Sequence, residues 1–241
     1  MYKVVSLSGG KDSTAMLLMM LEKGVPFDEA VFFDTGWEFP QMYEHLEKLE
    51  SDTGVRITRL HDDVGLTERM LHNHRTRGKR VGNESGMGWP TPRARWCTTR
   101  KTQAISRHLR QHGEHVSYIG IAADEPKRVR DQLYPLVEWG VTEADALAYC
   151  KARGYTWGGL YDHFKRVSCF CCPLQSIDEL RQLRLNHPDE WAQMLVWDYQ
   201  INRPKDRPQD RPQDRFRNDY DLPELEMRFR REDRQIRLEL V

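Results

Sequence analysis

The chain has 241 residues, 31% of them charged, and its 37 Lys and Arg balance 37 Asp and Glu. That length suits one full α/β domain with a smaller appendage, and zero formal charge excludes the global basic field that draws a protein to nucleic acid or to an anionic membrane. No run approaches the roughly 18 apolar residues needed to span a bilayer, and Met1-Tyr2-Lys3 leads straight into a strand without a signal-peptide core, so no membrane partner and a cytoplasmic location are expected. Five cysteines in such a chain argue against a disulfide framework and for metal, cluster or redox chemistry, because Cys169, Cys171 and Cys172 crowd together.

The first predicted element is a strand around Val4–Leu7, followed by Ser8-Gly9-Gly10-Lys11-Asp12-Ser13 and an apolar helix reaching about Lys23. Two glycines at a strand-to-helix turn let backbone N–H groups face an anion. The helix adds its positive N-terminus, and Lys11 with the Ser8 and Ser13 hydroxyls adds side-chain donors. The hexapeptide is too short for a Walker A loop, which needs four residues between its glycines. A strand at Ala30–Phe33, a helix from about Pro40 to Ser51 and the alternating Val55–Leu60 complete a βαβαβ rhythm, which predicts a parallel sheet flanked by helices. Asp34 and Thr35 follow the second strand, at the end where open α/β sheets bind ligands.

A glycine-rich stretch from His61 to Trp96 reads as a long loop carrying Gly78, Gly82, Gly86 and Gly88, and loops of that length inside a domain are usually functional. His72 and His74 in it, beside Arg75, are read as a solvated pair because no third metal ligand lies near in sequence. Arg93, Arg95 and Lys101 surround Cys97, an arrangement that would lower the thiol pKa and could hold phosphate or sulfate. Next come a helix near Thr99–Arg110, a strand Ser117–Ala122 ahead of Asp124, Glu125 and Arg128, and two helix starts, Thr142-x-x-Asp145 and Ser176-x-x-Glu179, patterned as capping boxes. Asp124 and Glu125 could bind Mg²⁺ or order arginines, with a surface ion-pair cluster as the competing reading. Arg-Pro-(Lys/Gln)-Asp repeats three times between Arg203 and Asp214, which predicts an extended linker. Beyond it, Leu222, Leu225 and Phe229 recur at helical spacing.

Strand–SGGKDS–helix resembles the PP-loop of the N-type ATP pyrophosphatases, the superfamily that includes phosphoadenosine phosphosulfate (PAPS) reductases, ATP sulfurylase small subunits and several thiolation enzymes. Three further segments match the PAPS-reductase-like pattern in order: Asp34-Thr35-Gly36, Arg95-Trp96-Cys97-Thr98-x-x-Lys101, and Gly120 with Asp124-Glu125-x-x-Arg128, although Ala122 stands where an arginine is usual. The resemblance implies a Rossmann-like nucleotide-binding α/β domain over 1–140. It would be followed by a helical region with the cysteine segment over 141–200, a linker over 201–217 and a C-terminal amphipathic helix over 218–241. It implies nucleotide contacts from Ser6, Ser8, Gly9, Gly10, Lys11, Asp12, Ser13, Asp34, Thr35, Gly120 and Asp124. Catalysis would involve Lys11, Asp12, Arg95 and Cys97, and substrate oxyanions would be held by Arg93, Arg95, Lys101 and Arg128.

On the same resemblance, Cys97 with Cys169 and Cys172 of the C-x-x-C turn would hold a [4Fe–4S] cluster with one open iron, or else Zn²⁺. The implied activity uses ATP and Mg²⁺ to adenylate an acceptor, such as tRNA or DNA, with loss of pyrophosphate. Cluster sulfur, supplied by a donor protein, would then displace AMP. One alternative is a sulfonucleotide reductase, whose C-terminal Glu-Cys-Gly-Leu-His nucleophile segment is absent, since no cysteine follows Cys172. A second is a nucleotide- or nucleic-acid-binding subunit of a modification or defence complex, using the basic stretch from Arg75 to Lys101 and the arginine repeat. A homodimer is left open.

Overall fold

A computed structural model describes residues 1–72, 86–203, 214–217 and 219–239, the last four of these by backbone alone. His74, Arg75, Gly78 and Gly82, and the repeat over 204–213, lie outside the described residues. The chain forms two compact units. One comprises 1–62 and 100–169, and the other 63–99 and 170–241.

The first unit is built on strands β1 (Tyr2–Leu7), β2 (Glu29–Phe33), β3 (Ile57–Leu60) and β4 (His115–Ile119), all parallel and ordered β3-β2-β1-β4. The alternation of short apolar runs with helices produces this sheet, and helices cover it as the sequence predicts. Between β1 and β2 lies helix α1 (Lys11–Glu22), whose Ala15, Met16, Leu17 and Met20 are fully buried. Each of the Met and Leu side chains contributes roughly 1.5–3 kcal/mol. The helix packs against both β1 and helix α6 (Glu143–Ala152) and reaches solvent mainly in its last turn, at Leu21 and Glu22. Helix α2 (Pro40–Thr53) ends at Gly54 in the left-handed region, φ 69°, which closes the helix before β3. The sheet changes direction around β1: β2 and β3 extend to one side, and β4 pairs on the other. The crevice at the carboxyl ends of β1 and β4 is therefore the topological switch point where such sheets accept ligands.

In the second unit, part of the stretch read as loop is helix α3 (Leu66–His72), stabilised by burial of Leu66, Met70 and Leu71. Gly86 follows it at φ 49°. A Cβ there would sit 2.6 Å from the Met70 carbonyl oxygen, so only glycine lets the returning chain pass. Helices α8 (Ile177–Asn186), α9 (Pro188–Asn202) and α10 (Leu222–Glu239) form the C-terminal helical part. Leu222, Leu225 and Phe229 are buried, and Phe229 meets Trp191 of α9 at 5.9 Å between ring centroids. Trp89, Trp197, Phe170 and Phe216 make an aromatic core, in which the Trp89 indole N–H donates to Asp198 at 2.9 Å.

Both predicted capping boxes are formed. Thr142 with Asp145 opens α6, and Ser176 with Glu179 opens α8. Helix α4 (Trp96–Leu109) follows in chain order, and two short helices, α5 (Pro135–Glu138) and α7 (Leu160–His163), belong to the first unit. Among the described residues, no helix is long and apolar enough to cross a membrane.

Candidate functional site

The loop Ser8–Gly10 leaves β1 and enters α1 at the switch point. Gly9 takes φ 77°, and a Cβ there would fall 2.3 Å from the Met42 sulfur. Gly10 brings no side-chain cap to α1, so the positive end of the helix meets the loop through backbone N–H groups, of which that of Lys11 is taken by the Tyr161 hydroxyl. The two serines brace the turn: Ser8 N–H donates to Ser13 Oγ at 3.1 Å, their hydroxyls lie 3.1 Å apart, and Ser13 Oγ also reaches the Gly10 carbonyl at 3.1 Å. Gly120, just past β4, closes the opposite wall.

Lys11 is buried at 5% exposure, with its ammonium 2.6 Å from Glu143 and 3.4 Å from Asp12 and over the Tyr161 ring at 5.7 Å. Its backbone N–H donates to the Tyr161 hydroxyl at 2.7 Å. Burial, reinforced by the charges of Glu143 and Glu125 and opposed by Lys11, pushes the Asp12 carboxyl up to about 6. Among the described residues no donor reaches Asp12 Oδ1. One buried cation thus faces several carboxylates in a cradle whose backbone geometry suits an anion.

Beneath the loop, Trp157 donates from its indole N–H to the Gly9 carbonyl at 2.7 Å and stacks on His45 at 4.5 Å. Trp157, Gly158 and Gly159 all lie at positive φ, and Trp157 is the only non-glycine residue in that region among those described. The strain, of order 1–3 kcal/mol for such a residue, is held by this indole contact. His45 also hydrogen-bonds Thr14 at 2.9 Å, and burial lowers its pKa to about 4, so the ring is neutral at ordinary pH. Sequence reasoning missed Trp157, Tyr161, His45 and Glu143 because each reaches the loop from a distant segment.

At the carboxyl end of β2, Asp34 accepts from Tyr43 and from the Gly36 N–H, each at 2.8 Å. Thr35 donates to Glu38 at 2.8 Å and lies 3.4 Å from the Cys169 sulfur, which is 3.9 Å from Glu38. Burial raises the Glu38 pKa, against hydrogen bonding by Thr35 and the charge of Lys101. Thr35, Glu38 and Cys169 therefore form one cluster with Lys101 nearby. The backbone leading to Cys169 borders the loop, with the Val167 carbonyl 3.8 Å from a Cβ position on Gly10.

The other predicted residues serve locally or belong to the second unit. Ser6 is inside β1, paired with β2 and β4. Asp124 accepts from the Glu143 N–H at 3.1 Å, helping to anchor α6, while Arg128 pairs with Glu125 on the surface. Arg93 and Arg95 are exposed in the second unit. Cys97 departs from expectation. Burial drives its thiol pKa up, and the Thr98 hydrogen bonds and Arg95 charge only partly oppose that. Cys150 is buried at the back of the loop, 3.6 Å from the Lys11 carbonyl, and burial lifts its pKa to about 12.

The expected [4Fe–4S] cluster, and sulfur transfer through it, are corrected by the side chains that do converge. Among the described residues, Cys97, Cys169 and Cys172 are not found as a metal-ligand group. The group of three or more His, Cys, Asp or Glu among the described residues is Glu29, His108 and His112, with ligand atoms all within 4.8 Å of one another. Its nitrogen and oxygen donors suit a single ion such as Zn²⁺, whereas iron–sulfur clusters are held by thiolates. The zinc alternative thus moves from the cysteines to this group. The physical reason is that C-x-x-C spacing is local, while convergence of a third ligand depends on tertiary packing. At Glu29 burial raises the carboxyl pKa, but hydrogen bonds from Thr58 and His108 outweigh it and hold the group below its ordinary value.

A family model described as phosphoadenosine phosphosulfate reductase domain matches residues 3–175. Relatives include an uncharacterized protein of Methanocaldococcus jannaschii, 25% identical over 79% of this chain and 40% of its own length. Others are an uncharacterized 37.8 kDa protein of Escherichia phage 186, 25% identical over 81% of this chain and 74% of its own, and an uncharacterized nin region protein of Escherichia phage lambda, 30% identical over 54% and 51%. The chain thus spans well under half of the archaeal relative and about half of the lambda protein. Similar solved structures include a phosphoadenylyl-sulfate reductase of Candida auris in complex with phosphate, with TM-score 0.46 and 16% identity over 67% of this chain and 77% of that one. The U34-tRNA thiolase NcsA of Methanococcus maripaludis, with its [4Fe-4S] cluster, has TM-score 0.41 and 13% identity over 88% and 77%.

Proposed function

Because this chain belongs to the phosphoadenosine phosphosulfate reductase domain family, we propose that it is an enzyme that seats an adenine nucleotide's phosphates on the loop Ser8–Ser13 and acts on a sulfonucleotide. The loop's glycines, the N-terminal end of α1, which Gly10 leaves without a side-chain cap, and Lys11 support the phosphate assignment. The observation that carries the reaction is the Thr35–Glu38–Cys169 cluster, a thiol beside a half-buried carboxylate in the unit that carries the loop.

In the proposed step the Cys169 thiol loses its proton to Glu38, and its sulfur attacks the sulfonucleotide sulfur. The S–S bond forms as the S–O bond to the phosphate breaks, leaving a cysteine S-sulfonate and the nucleotide phosphate. An external dithiol then attacks Cys169 Sγ, releases sulfite and becomes a disulfide. Glu38 with its raised pKa is matched to accept that proton, and Lys101 offers charge to the sulfonate oxygens.

The test is incubation of the full chain with phosphoadenosine phosphosulfate or adenosine phosphosulfate and a dithiol, with sulfite as the readout. Mass spectrometry without reductant locates the adduct. Sulfite release that is lost in Cys169→Ser, with the S-sulfonate on Cys169, supports the reading. Conversion of ATP to AMP and pyrophosphate with no sulfite from either sulfonucleotide would replace it with an adenylating transferase.

A further inference from the structure

Glu29, His108 and His112 sit at the opposite end of the sheet from the loop. Glu29 opens β2, whereas Asp34 follows its last residue. With about 3.3 Å of rise per residue, the five residues of β2 alone separate the two ends by about 13 Å. His108 belongs to the last turn of α4, and His112 ends the single 3₁₀ turn Arg110–His112 that continues it. Four residues apart on helical backbone, the two imidazoles project to one side.

The three groups are already oriented by neighbours. His108 Nε2 lies 3.0 and 2.9 Å from the two Glu29 oxygens. Thr58 donates to Glu29 Oε1 at 2.6 Å and Tyr2 to Oε2 at 3.4 Å. The Tyr2 ring stacks flat on His112, with centroids 4.0 Å apart and planes 4° from parallel. Such outer contacts fix carboxylate and imidazole ligands at metal sites.

We infer that Glu29, His108 and His112 form a resident Zn²⁺ site that ties the end of α4 to the edge of the sheet. Ligands at about 2.1 Å around a tetrahedral ion lie roughly 3.4 Å apart, so His108 and Glu29, now 2.9–3.0 Å apart, would part slightly to admit the ion, and His112, on the exposed turn, would close from within 4.8 Å. One carboxylate and two neutral imidazoles leave a fourth position for water. The site's distance from the loop assigns it a structural role. This inference is independent of the sulfonucleotide reading, because it concerns other residues and is read without any substrate.

The test strips the full chain with a chelator and titrates Zn²⁺ by calorimetry. Co²⁺ serves as a spectroscopic stand-in, and thermal unfolding is followed in parallel. One equivalent should bind, with visible bands of tetrahedral Co²⁺ and a raised Tm. His112→Ala, at an exposed position, should weaken Zn²⁺ at least tenfold and abolish the rise in Tm. His115→Ala, whose exposed side chain is no member of the group, should match the parent chain. Absence of Zn²⁺ binding, or equal binding in parent and His112→Ala with circular dichroism showing both folded, would leave Glu29 and His108 as a plain hydrogen-bonded pair and overturn the assignment.

Discussion

Gly120 and Ser13 meet backbone to backbone: a Cβ on Gly120 would lie 2.7 Å from both the amide nitrogen and the Cα of Ser13. The end of β4 is thereby pressed against the first turn of α1, and the crevice at the switch point takes its width from a missing methyl group. Gly120→Ala should force the two segments apart, costing about 1–3 kcal/mol as overpacking does, and should weaken ATP or pyrophosphate binding at least tenfold. Urea unfolding and calorimetric titration read the two effects separately.

Glu143 occupies the Lys11 ammonium at 2.6 Å, where a phosphate oxygen would compete for it. Replacing that carboxylate with Glu143→Gln should tighten pyrophosphate binding several-fold, whereas Lys11→Met should weaken it tenfold or more, because the cation facing Asp12 and Glu143 is gone. Isothermal titration of both variants decides it. Equal affinities in Glu143→Gln and the parent chain would show that the carboxylate does not compete.

His45 supplies an acid-sensitive step. Its folded pKa of about 4 lies below the ordinary value near 6.5, so the unfolded chain binds the extra proton between those values. Stability is present above about 6.5 and is lost as pH falls toward 4, by up to about 3 kcal/mol. His45→Phe keeps a ring against Trp157 and has no proton to bind. The stability difference between parent and variant should therefore shift in the variant's favour across that window, as read by urea unfolding at pH 7 and pH 4.5.

Glu226 has the opposite origin but a similar acid response. Burial would raise its pKa, yet hydrogen bonds from Arg184, Arg230 and Trp191 bring it down to about 2. Its stabilisation is present above the ordinary carboxylate value and lost as pH falls through about 2. Glu226→Gln should cost about 2–3 kcal/mol at pH 7, and the deficit should shrink on acidification, measured as the denaturant midpoint at pH 7 and pH 3.

The features legible in the sequence were those whose partners are close in the chain. The Ser8–Ser13 turn announces itself because strand, glycines and helix are contiguous, and each capping box because both its members fall within four residues. Leu222, Leu225 and Phe229 show their burial through spacing alone. The residues bracing the loop could not be found that way: Tyr161 and Trp157 meet it across about 150 positions, and only the left-handed Trp157-Gly158-Gly159 run carries a local signal. His108 and His112 did offer a signal in their i, i+4 spacing, but the carboxylate completing the group is 79 positions away from His108. Cys169 and Cys172 misled for the converse reason, since a suggestive local spacing says nothing about where a third thiol comes to rest.

The interleaving of the two units sets an order on biosynthesis. β1 leaves the ribosome more than a hundred residues ahead of its partner β4, His115–Ile119, and the unit is complete only at residue 169. Until then β1 exposes one hydrogen-bonding edge, and the residues over 63–99 emerge ahead of the helices that complete their own unit. Pairings so distant in sequence make folding slow and leave strand edges open to other nascent chains. A ribosome stalled before residue 115 would therefore carry a phosphate loop with its first strand and helix in place but one wall missing.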